Sequence, residues 1–272
     1  MSASLLNRRH LLAAALLPAA PARATERLVL TGSSTIAPLV LEMAKRFENL
    51  QPGVRIDVQS GGSSRGVVDV RSGAAQVGMV SRALKADESD LAAHMVALDG
   101  ICLIVHRRNP IAALQDAQVK AIFTGRIRDW SELGGAGRTI SVVNKAEGRS
   151  TLELFLAHFG LRNSEIRPAV VIGDNAQGIK TVAANPGAIG YVSIGAAAVE
   201  AGLGTPIRLL PMAGVAATVG ELRAGRFALA RPLNLVTRGT PTPVARRFIA
   251  FARSAAVRDL VEALSFVSPL PA

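Results

Sequence analysis

The chain passes from a short apolar strand into a helix at Gly32-Ser33-Ser34-Thr35-Ile36-Ala37-Pro38. Apolar residues precede this stretch at 28–30, and they recur at helical spacing over 36–48. Hydroxyl side chains at a helix start can cap its free backbone N–H groups. The same N–H groups, together with the helix dipole, attract anions. This junction is therefore a candidate anion site on an α/β fold.

Two further loops of this kind follow along the chain. The first, at 61–66, is rich in glycine and contains Ser63, and the second places Arg149 before Ser150 and Thr151. Because an Arg fork can bind two oxygens of one anion, Arg149 favours a binding role. Three such loops in one basic chain predict a pocket for an oxyanion.

A cation also follows the expected strand at 77–80, where Ser81 and Arg82 stand next in the chain. The carboxyl ends of strands are the edge of an α/β sheet at which ligands bind. The position of this pair therefore favours a binding role over an ordinary surface charge.

The loop at 148–151 has a second interpretation, because Ser150-Thr151-Leu152-Glu153 has the S-x-x-E form of a capping box. That form predicts that Ser150 caps the helix expected over 151–159 and that Glu153 bonds back to the cap. A well-capped structural helix would explain the motif without any ligand. The anion interpretation depends on Arg149 beside the cap.

The first residues predict export from the cytoplasm. Arg8-Arg9 precedes an apolar stretch at 11–17, and Ala22-Arg23-Ala24 has the A-x-A form of a cleavage site. The apolar stretch is shorter than the roughly 20 residues that cross a bilayer. We expect residues 1–24 to be an export signal, for the twin-arginine or the general pathway, and the mature protein to be periplasmic.

Composition narrows the classes of partner. The chain has 272 residues and a formal net charge of +11, which favours anionic partners. Its Lys and Arg residues are scattered, without a basic run or a strand studded with aromatic residues, so no nucleic acid is expected. The single cysteine, Cys102, excludes an internal disulfide, and its apolar surroundings at 101–105 predict a buried, inert thiol.

Strand and helix patterns alternate along the chain, which indicates an α/β fold with a mainly parallel sheet. The pattern predicts strands at 28–30, 54–58, 77–80, 101–106, 140–143, 170–172, 189–192, 207–210 and 233–237. It predicts helices at 36–48, 64–71, 116–123, 151–159 and 176–184. No low-complexity linker divides the chain, so two domains would be joined by ordered crossovers.

The patterns typical of catalysis are missing. Ser63 does not lie in a nucleophile elbow, because Arg65 stands where that motif requires glycine. His94, His106 and His158 are far apart and lack the spacing of a metal site. We therefore expect no enzyme activity, no metal and no cofactor.

From about residue 28 onward the chain resembles the periplasmic phosphate-binding proteins of phosphate ABC transporters. The resemblance is carried by short motifs whose order and spacing are together specific. They are Gly32-Ser33-Ser34-Thr35, Gly62-Ser63, Ser81-Arg82, Asp99-Gly100-Ile101, Asn109-Pro110, Ile122-Phe123-Thr124-Gly125, Asp129-Trp130-Ser131-Glu132-Leu133-Gly134-Gly135 and Ala188-Ile189-Gly190-Tyr191-Val192-Ser193.

The resemblance implies a two-lobed, type II periplasmic binding protein with its ligand in the cleft between the lobes. Each lobe would be a mainly parallel sheet flanked by helices. Lobe 1 would combine residues 25–103 with 236–272, and lobe 2 would span 104–235. The crossing strands would lie near 101–106 and 232–237.

The resemblance also implies a set of phosphate-binding residues. They are Ser34, Thr35, Ser63, Ser81 and Arg82 from lobe 1, and Arg149, Ser150 and Thr151 from lobe 2. The chain departs from the family at Arg149-Ser150-Thr151, where Ser-Gly-Thr is usual, and at Lys145 and Ala146, where an Arg and an acid are usual. Either the Arg has moved from 145 to 149, or the ligand is not phosphate.

The implied function is capture of phosphate and its delivery to the membrane permease of an ABC transporter, by a monomer. A binding protein for another, sulfate-like oxyanion and a periplasmic sensory or interaction protein remain alternatives on the same fold. Phosphate carries a proton that needs an acceptor, whereas sulfate has none. Asp57, Asp99 and Glu147 are candidate acceptors, although Asp99 also fits an Asp-Gly turn with Gly100.

Overall fold

A computed structural model describes residues 25–269 of the chain. The expected export signal at 1–24 and the last three residues lie outside this range. The strands are β1 (Glu26–Gly32), β2 (Val54–Ser60), β3 (Val77–Val80), β4 (Leu91–His106), β5 (Ser141–Lys145), β6 (Val170–Ile172), β7 (Ala188–Ser193), β8 (Ile207–Leu209) and β9 (Ala230–Arg238). The α-helices are α1 (Ala37–Leu50), α2 (Ser63–Ser72), α3 (Asp116–Phe123), α4 (Ser150–Phe159), α5 (Asn175–Ala184), α6 (Ile194–Gly202), α7 (Val219–Arg223), α8 (Pro243–Ala252) and α9 (Arg258–Ala263).

The strands lie in the order β2-β1-β3-β9-β4-β7-β5-β6, and β8 pairs with β4. The expected parallel pairing occurs between β1 and its neighbours β2 and β3, and between β5 and its neighbours β6 and β7. The two long strands β4 and β9 pair antiparallel with each other and with their other neighbours. The α/β class expected from the sequence is confirmed.

Two large hydrophobic cores lie along this sheet. The first core contains apolar residues of β1, α1 and α8, and the second contains those of α4, α5 and β7. Along β4, Ala97 belongs to the first core and Ile101 to the second. Leu229, just before β9, belongs to the second core, and Leu233 within β9 belongs to the first. The chain therefore crosses between the cores twice, in neighbouring segments of β4 and β9.

Several elements match their expected bounds, among them β3, β6 and α3. The strand β4 is longer than expected because it begins at Leu91, and residues 91–100 pair with β9 along its length. Helices α6 to α9 were not expected from the sequence. Cys102 is fully buried, and burial raises the pKa of its thiol, as expected for an inert side chain.

Between residues 25 and 269, no helix is long and apolar enough to cross a membrane. The same range contains no cluster of three or more His, Cys, Asp or Glu side chains suited to hold a metal ion.

Candidate functional site

A buried ion pair lies where the chain crosses between the cores. Asp99 of β4 and Arg231 of β9 are partners in the strand register. Nε and Nη2 of Arg231 donate to Oδ2 of Asp99 at 3.2 and 2.9 Å. The other carboxylate oxygen accepts the Gly195 N–H at the start of α6, at 3.2 Å. Arg231 is 1% exposed and Asp99 0%, so each charge depends on the other.

The same guanidinium contacts two hydroxyl groups on opposite sides of the crossing. Nη1 of Arg231 donates to Oγ1 of Thr151 at 3.0 Å, and Nη2 donates to Oγ1 of Thr35 at 3.3 Å. Thr35 lies just before α1 of the first core, and Thr151 lies in the first turn of α4 of the second core. Arg231 therefore joins two helix starts that the sequence treats as separate motifs.

Serine side chains connect the two sides a second time. The backbone N–H of Ser81 donates to Oγ of Ser63 at 3.1 Å, and this hydroxyl donates to Oγ of Ser150 at 3.1 Å. All three serines are buried. Ser150 retains a hydroxyl proton that has no acceptor among residues 25–269, so this proton is available for a further hydrogen bond.

The close approach of α2 and α4 depends on Gly62. Its φ is +106°, and a Cβ built there would lie 2.6 Å from the carbonyl oxygen of Gly148. Any other residue would both strain the backbone and push the two loops apart. The glycine therefore allows Ser63 and Ser150 to meet.

Arg149 precedes α4 and is half-buried. Its Nε is buried and has no hydrogen-bond partner among the described residues. A buried donor without a partner is costly, and an anion would satisfy it. The structure therefore offers Arg149 as the cation of the candidate site.

Lys145, at the end of β5, is a second buried cation. Its Nζ donates to Oδ1 of Asn175 at 3.1 Å, in the first turn of α5. The pKa of Lys145 is lowered to about 7, chiefly by burial; the charge of Asp174 opposes this shift, and the charges of Arg231 and Arg149 contribute to it. An anion nearby would favour the charged ammonium.

Arg82 is placed differently from Arg149. Its Nη1 and Nη2 donate to the carboxylate of Glu88, both at 2.7 Å, and its Nε donates to Glu153 at 3.1 Å. Glu88 is itself buried. Two carboxylates therefore hold a guanidinium that the sequence predicted to hold the anion.

The capping box predicted at 150–153 is not formed. The helix α4 begins at Ser150, one residue early, so the N-cap is Arg149 and no side chain caps it. Glu153 points across the cleft, where it accepts from Oγ of Ser64 at 3.1 Å and contacts Nζ of Lys85 at 3.0 Å. The interpretation of this motif as a capping box was wrong.

The structure brings most of the predicted site residues together. Five of them are hydrogen-bonded around the crossing: Thr35, Ser63, Ser81, Ser150 and Thr151. Ser34 is half-buried and lines an adjacent cavity of about 510 Å³ between α1 and α5.

Sequence reasoning missed Arg231 and Asn175 as parts of this site. Arg231 stands before Pro232 at the start of an apolar strand, where a charge is normally a surface residue. The signal that could have indicated it is the neighbouring strand, where Asp99 also stands within an apolar run.

None of the candidate proton acceptors is available as a free carboxylate. Asp99 is paired with Arg231. Asp57 of β2 accepts hydrogen bonds from Arg27 of β1 and from Gln59 of β2. Glu147 is exposed and accepts from Asn163. The Asp-Gly turn suggested for Asp99 is also wrong, since this residue lies inside β4.

Known proteins with similar sequences and structures fit this fold. Residues 18–256 match the family model described as the PBP superfamily domain. The chain is 30% identical to the phosphate-binding protein PstS of Bacillus subtilis over 239 residues, which are 85% of this chain and 77% of that protein.

Among solved structures, the chain is similar to a putative phosphate ABC transporter substrate-binding protein with bound phosphate from Clostridium perfringens. The TM-score is 0.83 and the identity 29%, covering 90% of this chain and all of that one. An ABC-type phosphate transport receptor from Vibrio cholerae shares the fold, with a TM-score of 0.71, 24% identity, and coverage of 90% and 100%.

The fold, its two cores and this match define a two-lobed binding protein of the PBP superfamily. Within that class, the chain belongs to the PstS-like phosphate-binding proteins of phosphate ABC transporters. Membership confirms the family suggested by the motifs and the expectation that the protein is not an enzyme.

Proposed function

We propose that this protein binds inorganic phosphate in the cleft between its lobes and delivers it to the membrane permease of an ABC transporter. The observation that carries the proposal is the convergence of hydroxyl groups from both lobes, Thr35 and Thr151, on one buried guanidinium. Each hydroxyl lies at the start of a helix, where backbone N–H groups favour an anion. The names of the relatives support phosphate as that anion.

The contacts suggest different roles for the eight predicted residues. We assign direct donation to the anion to Ser34, Thr35, Arg149, Ser150 and Thr151, which retain donors without a partner among residues 25–269. Ser63, Ser81 and Arg82 support them, because their polar groups already bond to other residues. Lys145 adds a positive charge at the end of β5.

The lobes would close on the anion about the crossing strands. We place the hinge near 98–100 in β4 and 230–232 in β9, between the two cores. This hinge lies a few residues before the lobe bounds expected from the sequence, 25–103 with 236–272 and 104–235, which remain a prediction. Closure would remove water and so strengthen each charge-assisted hydrogen bond.

We further propose that the protein is periplasmic and monomeric and that residues 1–24 direct its export. The arginine pair and the A-x-A site support export, and the family of extracytoplasmic binding proteins supports the location. Mass spectrometry of the protein from periplasmic extract tests this proposal, because cleavage after Ala24 would leave Thr25 as the first residue.

Isothermal titration with phosphate, and then with sulfate, tests the function. The protein is first freed of bound ligand by unfolding and refolding. Tight phosphate binding without sulfate binding is expected. Sulfate binding of equal strength would favour the other-oxyanion alternative, and binding of neither anion would favour a sensory or interaction protein.

A further inference from the structure

Arg231 is the only guanidinium in residues 25–269 that hydrogen-bonds predicted site residues on both sides of the cleft. Its position on β9 is fixed by two bonds to Asp99 on the other crossing strand. Because the pair lies between the two cores, its anchor belongs to the hinge and to neither lobe alone. The hydroxyl groups of Thr35 and Thr151 are therefore both held by the same anchored guanidinium.

The hydrogen bonds of Thr35 determine the direction of its hydroxyl. Oγ1 accepts from Nη2 of Arg231 and from Nδ2 of Asn175, both at 3.3 Å. A hydroxyl has two acceptor lone pairs and one proton. With both lone pairs engaged, Thr35 can only donate, and its proton has no acceptor among the described residues.

The amide of Asn175 is oriented by its own partners. Oδ1 accepts from Nζ of Lys145 at 3.1 Å and from the backbone N–H of Ser193 at 3.3 Å. Two donors on one side identify that atom as the oxygen, so the nitrogen must face Thr35.

Thr151, in the other lobe, likewise has its hydroxyl oxygen engaged as an acceptor and its proton free to donate. Its Oγ1 accepts from Nη1 of Arg231 at 3.0 Å, and its hydroxyl proton has no acceptor in the part of the chain described. One guanidinium therefore leaves two hydroxyl protons available, one from each lobe. An anion, which accepts hydrogen bonds and donates few, is the ligand that this polarity suits.

We propose that Arg231 is a positioning residue, which orients the Thr35 and Thr151 hydroxyls to donate to the bound anion. This inference rests on the proposed function. Asp99 balances the charge of the guanidinium, so the ion pair as a whole is neutral and Arg231 acts on the anion through the threonines. Arg149 and Lys145 supply the positive charges that balance the anion.

The test is phosphate titration of the double variant Arg231→Met with Asp99→Asn. Replacing both partners avoids an unpaired buried charge, and Asn at 99 still accepts the Gly195 N–H. We expect an unchanged fold, checked by thermal unfolding, and roughly tenfold or greater loss of affinity, as for a charge-assisted hydrogen bond. Arg238→Met, an exposed arginine of β9, is the matched control and keeps full affinity.

A double-mutant cycle separates positioning from a merely structural role. Thr151→Val should weaken phosphate binding strongly in the wild type and at most about threefold in the double variant, because the hydroxyl is no longer oriented. Ser150→Ala, which removes a hydroxyl without a bond to Arg231, should cost the same factor in both backgrounds. Equal losses from Thr151→Val in both backgrounds would overturn the inference.

If the double variant does not fold, Arg231→Lys serves in its place. A lysine keeps the ion pair with Asp99, but a single ammonium lacks the planar fork that reaches both threonines. The same loss of affinity and the same reduced effect of Thr151→Val are expected. Wild-type affinity in a folded Arg231 variant would refute the positioning role, whereas a wild-type protein that binds no phosphate would refute the proposed function itself.

Discussion

Arg149 and Arg82 illustrate how the same residue type acquires different roles from its neighbours. Arg149→Ala should weaken phosphate binding roughly tenfold or more, since it removes a buried donor that has no partner in the described part of the chain. Stability should change little, because no bond within the described chain is lost at Nε. Arg126→Ala, at an exposed arginine near Thr124, is the control. Unchanged affinity in titrations of a folded Arg149→Ala protein would exclude this arginine from the site.

Arg82→Ala would not be an equally clean test of binding. The substitution leaves Glu88, which is 4% exposed, without its cation. Burial of an unpaired charge is strongly destabilising. A loss of phosphate binding in that variant would therefore report on folding as much as on the site.

Lys145 should make phosphate binding dependent on pH. Its pKa in the ligand-free protein is lowered by burial to about 7, below the ordinary value of 10.5. The unfolded chain therefore binds more protons than the native protein between these values, and native stability rises with pH across that window. A bound anion reverses this effect locally, because it raises the pKa of the ammonium.

Phosphate binding at a pH of about 8.5 should consequently take up protons through Lys145, and affinity should fall as the pH rises above 7. Titrations in two buffers with different heats of ionisation measure this uptake. Lys145→Met should abolish it, whereas Lys120→Met, on helix α3, which supplies no residue to the candidate site, should not. Equal proton uptake by Lys145→Met and wild type would contradict the assignment.

At the scale of elements, the sequence predicted those parts of the fold that have a local cause. The helix α3 has apolar residues at helical spacing, the strands β3 and β6 are short apolar runs, and the structure has all three at the expected bounds. The first half of β4 lacked that signal, because Asp99-Gly100 has the form of a turn. Its strand conformation comes from pairing with β9 and from the bond to Arg231, which only the fold can supply.

Gly100 shows why the sequence does not indicate a strand in this segment. A Cβ built there would lie 2.7 Å from Cδ1 of Ile194 and 2.8 Å from Cδ2 of Leu222, so a larger residue would force these packed side chains to shift. Packing across the sheet, and not a turn, accounts for the glycine. The residues that pack against Gly100 are far from it in the sequence, so no local sequence pattern could predict this strand.

The site was predicted to a similar extent. Loop chemistry correctly indicated that Thr35, Ser150 and Thr151 lie near one another, because helix starts gather at one edge of a sheet. Arg231 was missed because its partners are 80 and 196 residues away in the chain. For Glu153, a local rule favoured a cap, and attraction to two cations across the cleft overcame it.

At the scale of the whole molecule, Glu153 is a contact that holds the lobes together. Its carboxylate lies on α4 of the second core and contacts Arg82, Lys85 and Ser64, all on the side of the first core. Partly exposed ion pairs contribute about 0.2–1 kcal/mol each and weaken with salt. The ligand-free protein should therefore favour the closed arrangement modestly, and more so at low ionic strength.

Glu153→Gln should open the cleft of the ligand-free protein and weaken phosphate binding by about two- to fivefold, because part of the closing free energy is lost. Small-angle scattering measures the opening as a larger radius of gyration without phosphate, with wild-type dimensions regained at saturation. Glu165→Gln is a matched control, since the one ion pair of Glu165 within the described range is with Arg162 in its own turn. The radius of gyration and the phosphate affinity should both be unchanged in Glu165→Gln. If Glu153→Gln has the wild-type radius of gyration and affinity at low salt, closure is governed by the hinge and the anion alone.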